Sequence, residues 1–176
     1  MKIDRFDEDL AHRKMLPYAP VYRELFLQIR EYVQAGIKTI ELIHIGSTAI
    51  PDLRGKPMLD MVAISTHADL REEQKQFERL GFHRRKVWVD RDDKPYVCGS
   101  IRHDGDTYNV NIHICNRGDP VHRNFLTFIA ILRWRPDLRR RYEQAKESAH
   151  AINPADPEIY NRQKEAVILE IHNANK

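Results

Sequence analysis

His44-Ile45-Gly46-Ser47-Thr48-Ala49-Ile50-Pro51, followed shortly by Lys56-Pro57-Met58-Leu59-Asp60-Met61-Val62-Ala63-Ile64, is the stretch from which the rest of the chain can be read. An apolar run ends in a Gly-Ser turn, and a second apolar run carries a carboxylate at its centre. Two short, nearly continuous apolar runs bounded by turn residues read as buried strands. An unpaired buried carboxylate costs several kcal/mol. Asp60 therefore needs a partner: a metal, a cationic side chain or water in a cleft.

Outward from this centre the pattern is orderly. On the N-terminal side, Val21, Leu25, Ile29, Tyr32 and Val33 recur at helical spacing, and Gly36 closes that helix. Residues 1 to 19 read as irregular. On the C-terminal side, residues 67 to 80 form a polar surface helix with Leu70, Phe77 and Leu80 on one side, stopped by Gly81. Val87 to Val89, Tyr96 to Arg102 and Tyr108 to Ile114 read as strands separated by the turn signals Arg91-Asp92-Asp93-Lys94-Pro95 and Asp104-Gly105-Asp106. In the last of these, Val110, Ile112 and Ile114 take the core face and Asn109, Asn111 and His113 the other. The final third is helical. Val121, Phe125, Phe128, Ile129 and Leu132 line one helix, and Pro136 opens the next, with Leu138, Tyr142, Ala145 and Ala149 on its apolar side. A last helix runs from about Glu158 to Ile171. The expected fold is α+β: one domain over residues 1–176, with a mixed sheet of about five strands in 1–116 and packed C-terminal helices in 117–176.

The chain of 176 residues is 41% hydrophobic and 31% charged, with a net charge of +3. This balance suits a folded domain and excludes a disordered chain. The charge alone does not imply nucleic acid. No apolar run is long enough to span a membrane, and the acidic, mixed N-terminus is unlike a signal peptide, so the expected location is the cytoplasm. Cys98 and Cys115, without close spacing, read as reduced core thiols.

Several residues around the turn can carry chemistry. Gly46 permits a tight turn and close approach of a ligand, while Ser47 and Thr48 can cap the turn or present N–H groups to phosphate oxygens. Asp60 shares one face of its strand with Met58, Val62 and Ile64. It reads as a metal ligand, a general base or a hydrogen-bonded structural acid. Lys56 reads as a point charge for a phosphate, a counter-ion for Asp60 or a solvated surface cation. His44 and His113 are candidates for a metal site with Asp60, and His113 also for proton transfer, against the plainer reading of satisfied strand histidines. Tyr160 and Lys164, one helical turn apart, reach the cleft if the last helix folds back. The arginines around Trp134, from Arg133 to Arg141, and the cluster His83-Arg84-Arg85-Lys86 read as solvated surface with arginine stems over Trp134, or as contacts to RNA or a phosphorylated ligand.

The run His44 to Pro51, followed by Lys56-Pro57-Met58-Leu59-Asp60, resembles the central string of the GrpB family, small bacterial proteins with a nucleotidyltransferase-like fold. Pro17-Tyr18, Asn111-Ile112-His113 and the Tyr160/Lys164 pair resemble its flanking features. The resemblance implies that Gly46-Ser47 is a phosphate-side turn. It further implies that Gly46, Ser47, Thr48, Lys56, Tyr160 and Lys164 contact a nucleotide or phosphate, that Asp60 and His113 are catalytic, and that Mg²⁺ or Mn²⁺ is the cofactor. In the superfamily, two acids separated by one residue and a third on a later strand hold divalent metal. Here the first position is Met58, and the later strand offers Asn109, Asn111 and His113, so only Asp60 remains. Asp52 stands where the family usually has Gly.

The functional expectation is a divergent transferase that binds a nucleotide or other phosphorylated small molecule and moves a nucleotidyl or phosphoryl group. The alternatives are a nucleotide-binding module without turnover and an RNA-associated protein using the arginine clusters.

Overall fold

A computed structural model of the chain describes residues 1–11, 15–85, 92, 94–152 and 157–174, the side chains of 10, 11 and 157–161 aside. After a single turn α1 (Glu8–Ala11), the long helix α2 (Val21–Gly36) leads into β1 (Ile40–Ile45). A 3-10 turn over Ser47–Ala49 and an irregular segment lead to β2 (Met58–Ser65). Helix α3 (Leu70–Arg79) follows, then the hairpin β3 (Tyr96–His103) and β4 (Asp106–Asn116). Three helices close the chain: α4 (Pro120–Trp134), α5 (Pro136–Ile152) and α6 (Pro157–Asn173).

The strands form a mixed sheet in the order β1-β2-β4-β3. The central pair β2 and β4 is parallel, and the two outer pairings are antiparallel. This sheet has four strands among the described residues, where about five were expected; the additional expected strand, Val87 to Val89, lies outside them. The edge of β3 is extended instead by isolated pairings of Asp4 with Ser100 and His83 with Cys98. The N-terminal residues, expected to be irregular, thus form a strap. Asn109, fully buried in β4, accepts from Asp7 N at 2.9 Å and donates to Asp7 O at 2.7 Å.

Period two divides the sheet into two chemically different faces. One face carries Ile40, Leu42, Leu59, Met61, Ala63, Val97, Val110, Ile112 and Ile114, covered by Leu25, Ile29 and Val33 of α2 and Phe77 of α3. The opposite face carries Ile45, Val62, Ile64 and Cys115 beneath Ile129 of α4. A third cluster joins α4, α5 and α6 through Leu132, Leu138, Tyr142, Val167 and Ile171, and takes in Ile50 and Leu53 from the segment before β2. That cluster fixes the segment after the Gly-Ser turn against the C-terminal helices. Both cysteines are free and buried, as expected of core thiols, and burial pushes them up to about 12 for Cys98 and about 11 for Cys115. Among the described residues no helix is long and apolar enough to cross a membrane.

Candidate functional site

The turn after β1 is built around Gly46, whose φ of 72° lies in the left-handed region. A Cβ there would lie 2.7 Å from Asp60 Oδ2 and 2.9 Å from Asp60 Cβ. Gly46 therefore makes room for the carboxylate of β2, which the register places directly beside Ile45. Gly55 does the same for Ser47, whose Cβ would be 2.6 Å from a Cβ at position 55. Asp52 has φ 64°, a left-handed position that an aspartate tolerates better than most residues.

The sheet register determines which candidates meet Asp60. Asn111 is its direct neighbour on β4. The Asn111 amide donates a long contact to Asp60 Oδ1 at 3.4 Å and another to Met58 Sδ at 3.4 Å, while Asn111 Oδ1 is buried with no hydrogen-bond partner. His44 pairs with Met61 and so points to the opposite face from Asp60. Its ring stacks on Phe26 with centroids 5.1 Å apart, and Nε2 lies 3.0 Å from Thr48 Oγ1. Thr48 gives its one hydroxyl hydrogen to Met58 O at 3.0 Å, so Nε2 carries the proton of the ring contact. His44 and Thr48 thus brace the turn from inside. Burial and the nearby Arg133 push the His44 ring down to about 4.

His113 is on the Asp60 face but one step further along, opposite Val62. It stacks against Phe125 of α4 at 5.3 Å and lies 6.5 Å from the Tyr96 ring. Burial, with Lys94 nearby, pushes it down to about 3, so it is neutral at pH 7 and lacks the imidazolium proton of a general acid. Among the described residues no three His, Cys, Asp or Glu groups come together to hold a metal, and His44, Asp60 and His113 do not form the three-ligand set. The physical reason is the strand period, which puts His44 on the wrong face.

Lysines are gathered at Asp60 instead. Lys146 of α5 is only 2% exposed. It donates to Ser47 Oγ at 2.8 Å and to the carbonyl of Arg54, with its ammonium 4.9 Å from the Tyr142 ring centroid. Burial pushes Lys146 down to about 7, opposed by Glu143, Asp60 and Glu147. Lys164 of α6 also lies within electrostatic reach of Asp60, and burial pushes it down to about 8. Lys56 is half-buried and lowered by burial and by Arg85. Asp60 itself is pushed up to about 6 by burial, a rise that Asn111, Lys164 and Lys146 restrain. The structure thus brings Gly46, Ser47, Asp60 and Lys164 together, with Lys56 within electrostatic reach of Lys164. The side chain of Tyr160 lies outside the described residues.

Lys146 is the site residue that reading the sequence missed. Its signal was present: it stands one turn after Tyr142 and three residues before Ala149, on the apolar stripe of α5. A lysine on a buried stripe has the same claim to explanation as Asp60 on a buried strand.

The arginine cluster has internal partners. Arg133 donates to Ala49 O at 3.0 Å and Arg139 to Pro51 O at 3.4 Å. Arg135 pairs with Asp137 at 2.8 Å, and Arg141 pairs with Glu170. In the second cluster, Arg84 pairs with Glu78 at 2.8 Å and Arg85 with Glu8, whereas Lys86 lies outside the described residues. Trp134 is 84% exposed, so no arginine stems cover it, contrary to expectation.

The metal expectation can be tested against this donor set. A hard divalent ion prefers several oxygen ligands including carboxylates. Here one carboxylate stands with a thioether and the NH2 of an amide, near Lys146 and Lys164. A pair of Mg²⁺ or Mn²⁺ ions does not fit these residues.

Comparison with known proteins agrees with the architecture. A UPF0157 protein of Pseudomonas aeruginosa is 26% identical over 166 residues, covering 90% of this chain and 65% of that protein. The chain therefore spans about two thirds of that relative's length. The crystal structure of conserved protein GrpB from Enterococcus faecalis matches with a TM-score of 0.71 at 20% identity, covering 92% of this chain and 99% of that one. The non-canonical poly(A) polymerase complex GLD-2–GLD-3 matches with a TM-score of 0.51 at 11% identity, over 81% of this chain and 48% of that one. At such identities these structures speak for the fold alone, and that fold is nucleotidyltransferase-like. The model of the family described as GrpB protein matches residues 13–174, and the chain belongs to the GrpB family.

Proposed function

We propose that this chain binds the phosphate end of a nucleotide or another phosphorylated small molecule at the Gly46-Ser47 turn, and transfers a nucleotidyl or phosphoryl group from it to a hydroxyl acceptor. The observation that supports this reading is the convergence of Lys146 and Lys164 on Asp60, with Lys146 also on Ser47. Lysines drawn from two separate helices to one half-buried turn make a place for an anion. Asp60, raised to about 6, is ionised at pH 7 yet close enough to neutrality to act as a general base. In the step proposed, the acceptor oxygen bonds to phosphorus, its proton passes to Asp60, and the bond from phosphorus to the leaving phosphate oxygen breaks. Ser47 and the lysines hold the charge that moves onto the leaving group.

A second reading, a binding module without turnover, is favoured by Met58 and Asn111, the neighbours of Asp60 on β2 and β4, neither of which is a carboxylate. One experiment separates the two. Thermal stability is measured with a panel of nucleotides and phosphorylated metabolites, with and without Mg²⁺, and transfer to a hydroxyl acceptor is followed chromatographically. A ligand at 100 times its Kd adds about 2.7 kcal/mol, a readily visible rise in melting temperature. Stabilisation that disappears in Ser47→Ala, with turnover that disappears in Asp60→Asn, supports the transferase. Stabilisation without turnover supports the module. The absence of stabilisation by the whole panel refutes both.

A further inference from the structure

The contact between Ser47 and Lys146 takes the transfer proposed above one step further, and depends on that reading. We infer that Ser47 and Lys146 form a nucleophile–base dyad, and that the phosphoryl or nucleotidyl group is carried on Ser47 Oγ as a covalent ester before it reaches its final acceptor.

The geometry is that of an activated serine. Lys146 Nζ lies 2.8 Å from Ser47 Oγ, within reach of the hydroxyl proton. The amine is otherwise enclosed: its side chain is 2% exposed, Arg54 O accepts a second hydrogen, and the Tyr142 ring centroid is 4.9 Å away. Arg54 O is fixed by its neighbours, since Leu53 is buried among the C-terminal helices and Gly55 exchanges backbone hydrogen bonds with Leu16 at 2.7 and 3.0 Å. Glycine at 55 leaves the room that the pair occupies: a Cβ there would lie 3.1 Å from Ser47 Oγ and 3.9 Å from Lys146 Nζ. Ser47 is half-buried, so a ligand meets the serine while the lysine stays behind it. Glu143 and Glu147 of α5, both near Arg54, and Asp60 of β2 favour the Lys146 ammonium; Lys164 of α6 disfavours it. Burial outweighs the acids and leaves Lys146 at about 7, so neutral amine is a major species at pH 7. A neutral amine donates to Arg54 O and accepts the Ser47 O–H with its lone pair.

Two displacements follow. In the first, Ser47 Oγ bonds to phosphorus, its proton passes to Lys146 Nζ, and the bond from phosphorus to the leaving oxygen breaks, the oxygen keeping the electron pair. In the second, the acceptor oxygen bonds to phosphorus and its proton passes to Asp60. The bond from phosphorus to Ser47 Oγ then breaks, and Lys146 returns the proton to Oγ. Each base serves one displacement, and the two flank one turn, since a Cβ on Gly46, the residue before Ser47, would lie 2.7 Å from Asp60 Oδ2.

The test uses diisopropyl fluorophosphate, whose phosphorus an activated serine attacks with loss of fluoride. The full chain is treated from pH 6 to pH 9.5, adducts are located by intact mass and peptide mapping, and the melting temperature of each variant is recorded. The expected result is an adduct on Ser47, formed at a rate that rises about tenfold from pH 6 to pH 8 and then levels off, as a base near 7 requires. Lys146→Met should slow labelling about 100-fold or more at pH 8, and Ser47→Ala should abolish it. The wild-type pH profile needs no variant and decides the matter even where Lys146→Met does not fold. Three results would each overturn the dyad: no adduct on Ser47, a rate that keeps climbing with hydroxide to pH 9.5, or labelling of Ser47 that a folded Lys146→Met leaves unchanged. If the nucleotide panel still stabilises the protein in that case, the phosphate-binding reading survives and Lys146 is a strut between the turn and α5. Labelling of Ser47 with no stabilisation by any member of the panel would overturn the inference from the other side, because the serine is then activated for a ligand that carries no phosphate.

Discussion

Replacing Lys146 with methionine keeps a long side chain in the space and removes the charge. The folded protein holds this lysine near 7, against 10.5 for a solvated one. Below pH 7 both folded and unfolded chains carry the proton, and the folded state bears the full cost of a buried ammonium. Between these values the unfolded chain is protonated and the folded chain is not, so the unfolded state binds more protons and stability rises with pH. From pH 7 to pH 9.5 this single group contributes a gain of about 3 kcal/mol. The variant lacks the gain. It also loses the donor to Arg54 O and Ser47 Oγ, a pH-independent cost of about 1–3 kcal/mol. Urea denaturation of both proteins at half-unit steps from pH 7 to 9.5 isolates the difference, because Lys164 and the surface groups remain in both. The wild-type curve should climb away from that of Lys146→Met as pH rises. Parallel curves would show that the ammonium titrates as in water, and the buried-lysine account of the site would fail with them.

Three further outcomes are expected. Gly46→Ala places a Cβ 2.7 Å from Asp60 Oδ2 at a left-handed φ; it should lower stability by about 2 kcal/mol or more, and an unchanged denaturation midpoint would contradict the geometry. Asn109→Ala removes both hydrogen bonds to the Asp7 backbone; it should cost about 1–3 kcal/mol and speed hydrogen exchange at the Asp7 amide, and retained protection there would mean that the strap is held by other contacts. Asp60→Asn should be more stable than wild type at pH 8. Burial raises the Asp60 carboxyl from 3.8 to about 6, so wild-type stability falls as pH rises through that window, and the two profiles should converge below pH 3.8. A wild type that is the more stable protein at pH 8 would show that the lysines more than offset the burial of the carboxylate.

Much of the fold can be read from local patterns because those patterns encode which face is buried. Val110, Ile112 and Ile114 lie on the face covered by α2 and α3 as their alternation predicts, while Asn109, Asn111 and His113 take the other. The same alternation on β2 places Asp60 with Val62 and Ile64, away from Leu59 and Met61. Pro136 opens α5, and Pro120 opens α4 in the same way. The strap of residues 1–8 was less legible, because its pairing with β3 and its contacts with His83, Arg85 and Asn109 join residues far apart in the chain.

The sequence by itself determined the Gly-Ser turn, the buried carboxylate and the two faces of the sheet, since each depends on residue type and on a period of two or 3.6 within one element. Only the tertiary structure decided which charges meet at that turn. His44 is two residues from Gly46 yet points to the opposite face from Asp60, whereas Lys146, 99 residues from Ser47, hydrogen-bonds to it. Strand register and the packing of α5 and α6 against the segment after the turn bring these groups together. Those are long-range arrangements, set by the burial of Ile50, Leu53, Leu138 and Val167 in one cluster, and no single stretch of the chain records them.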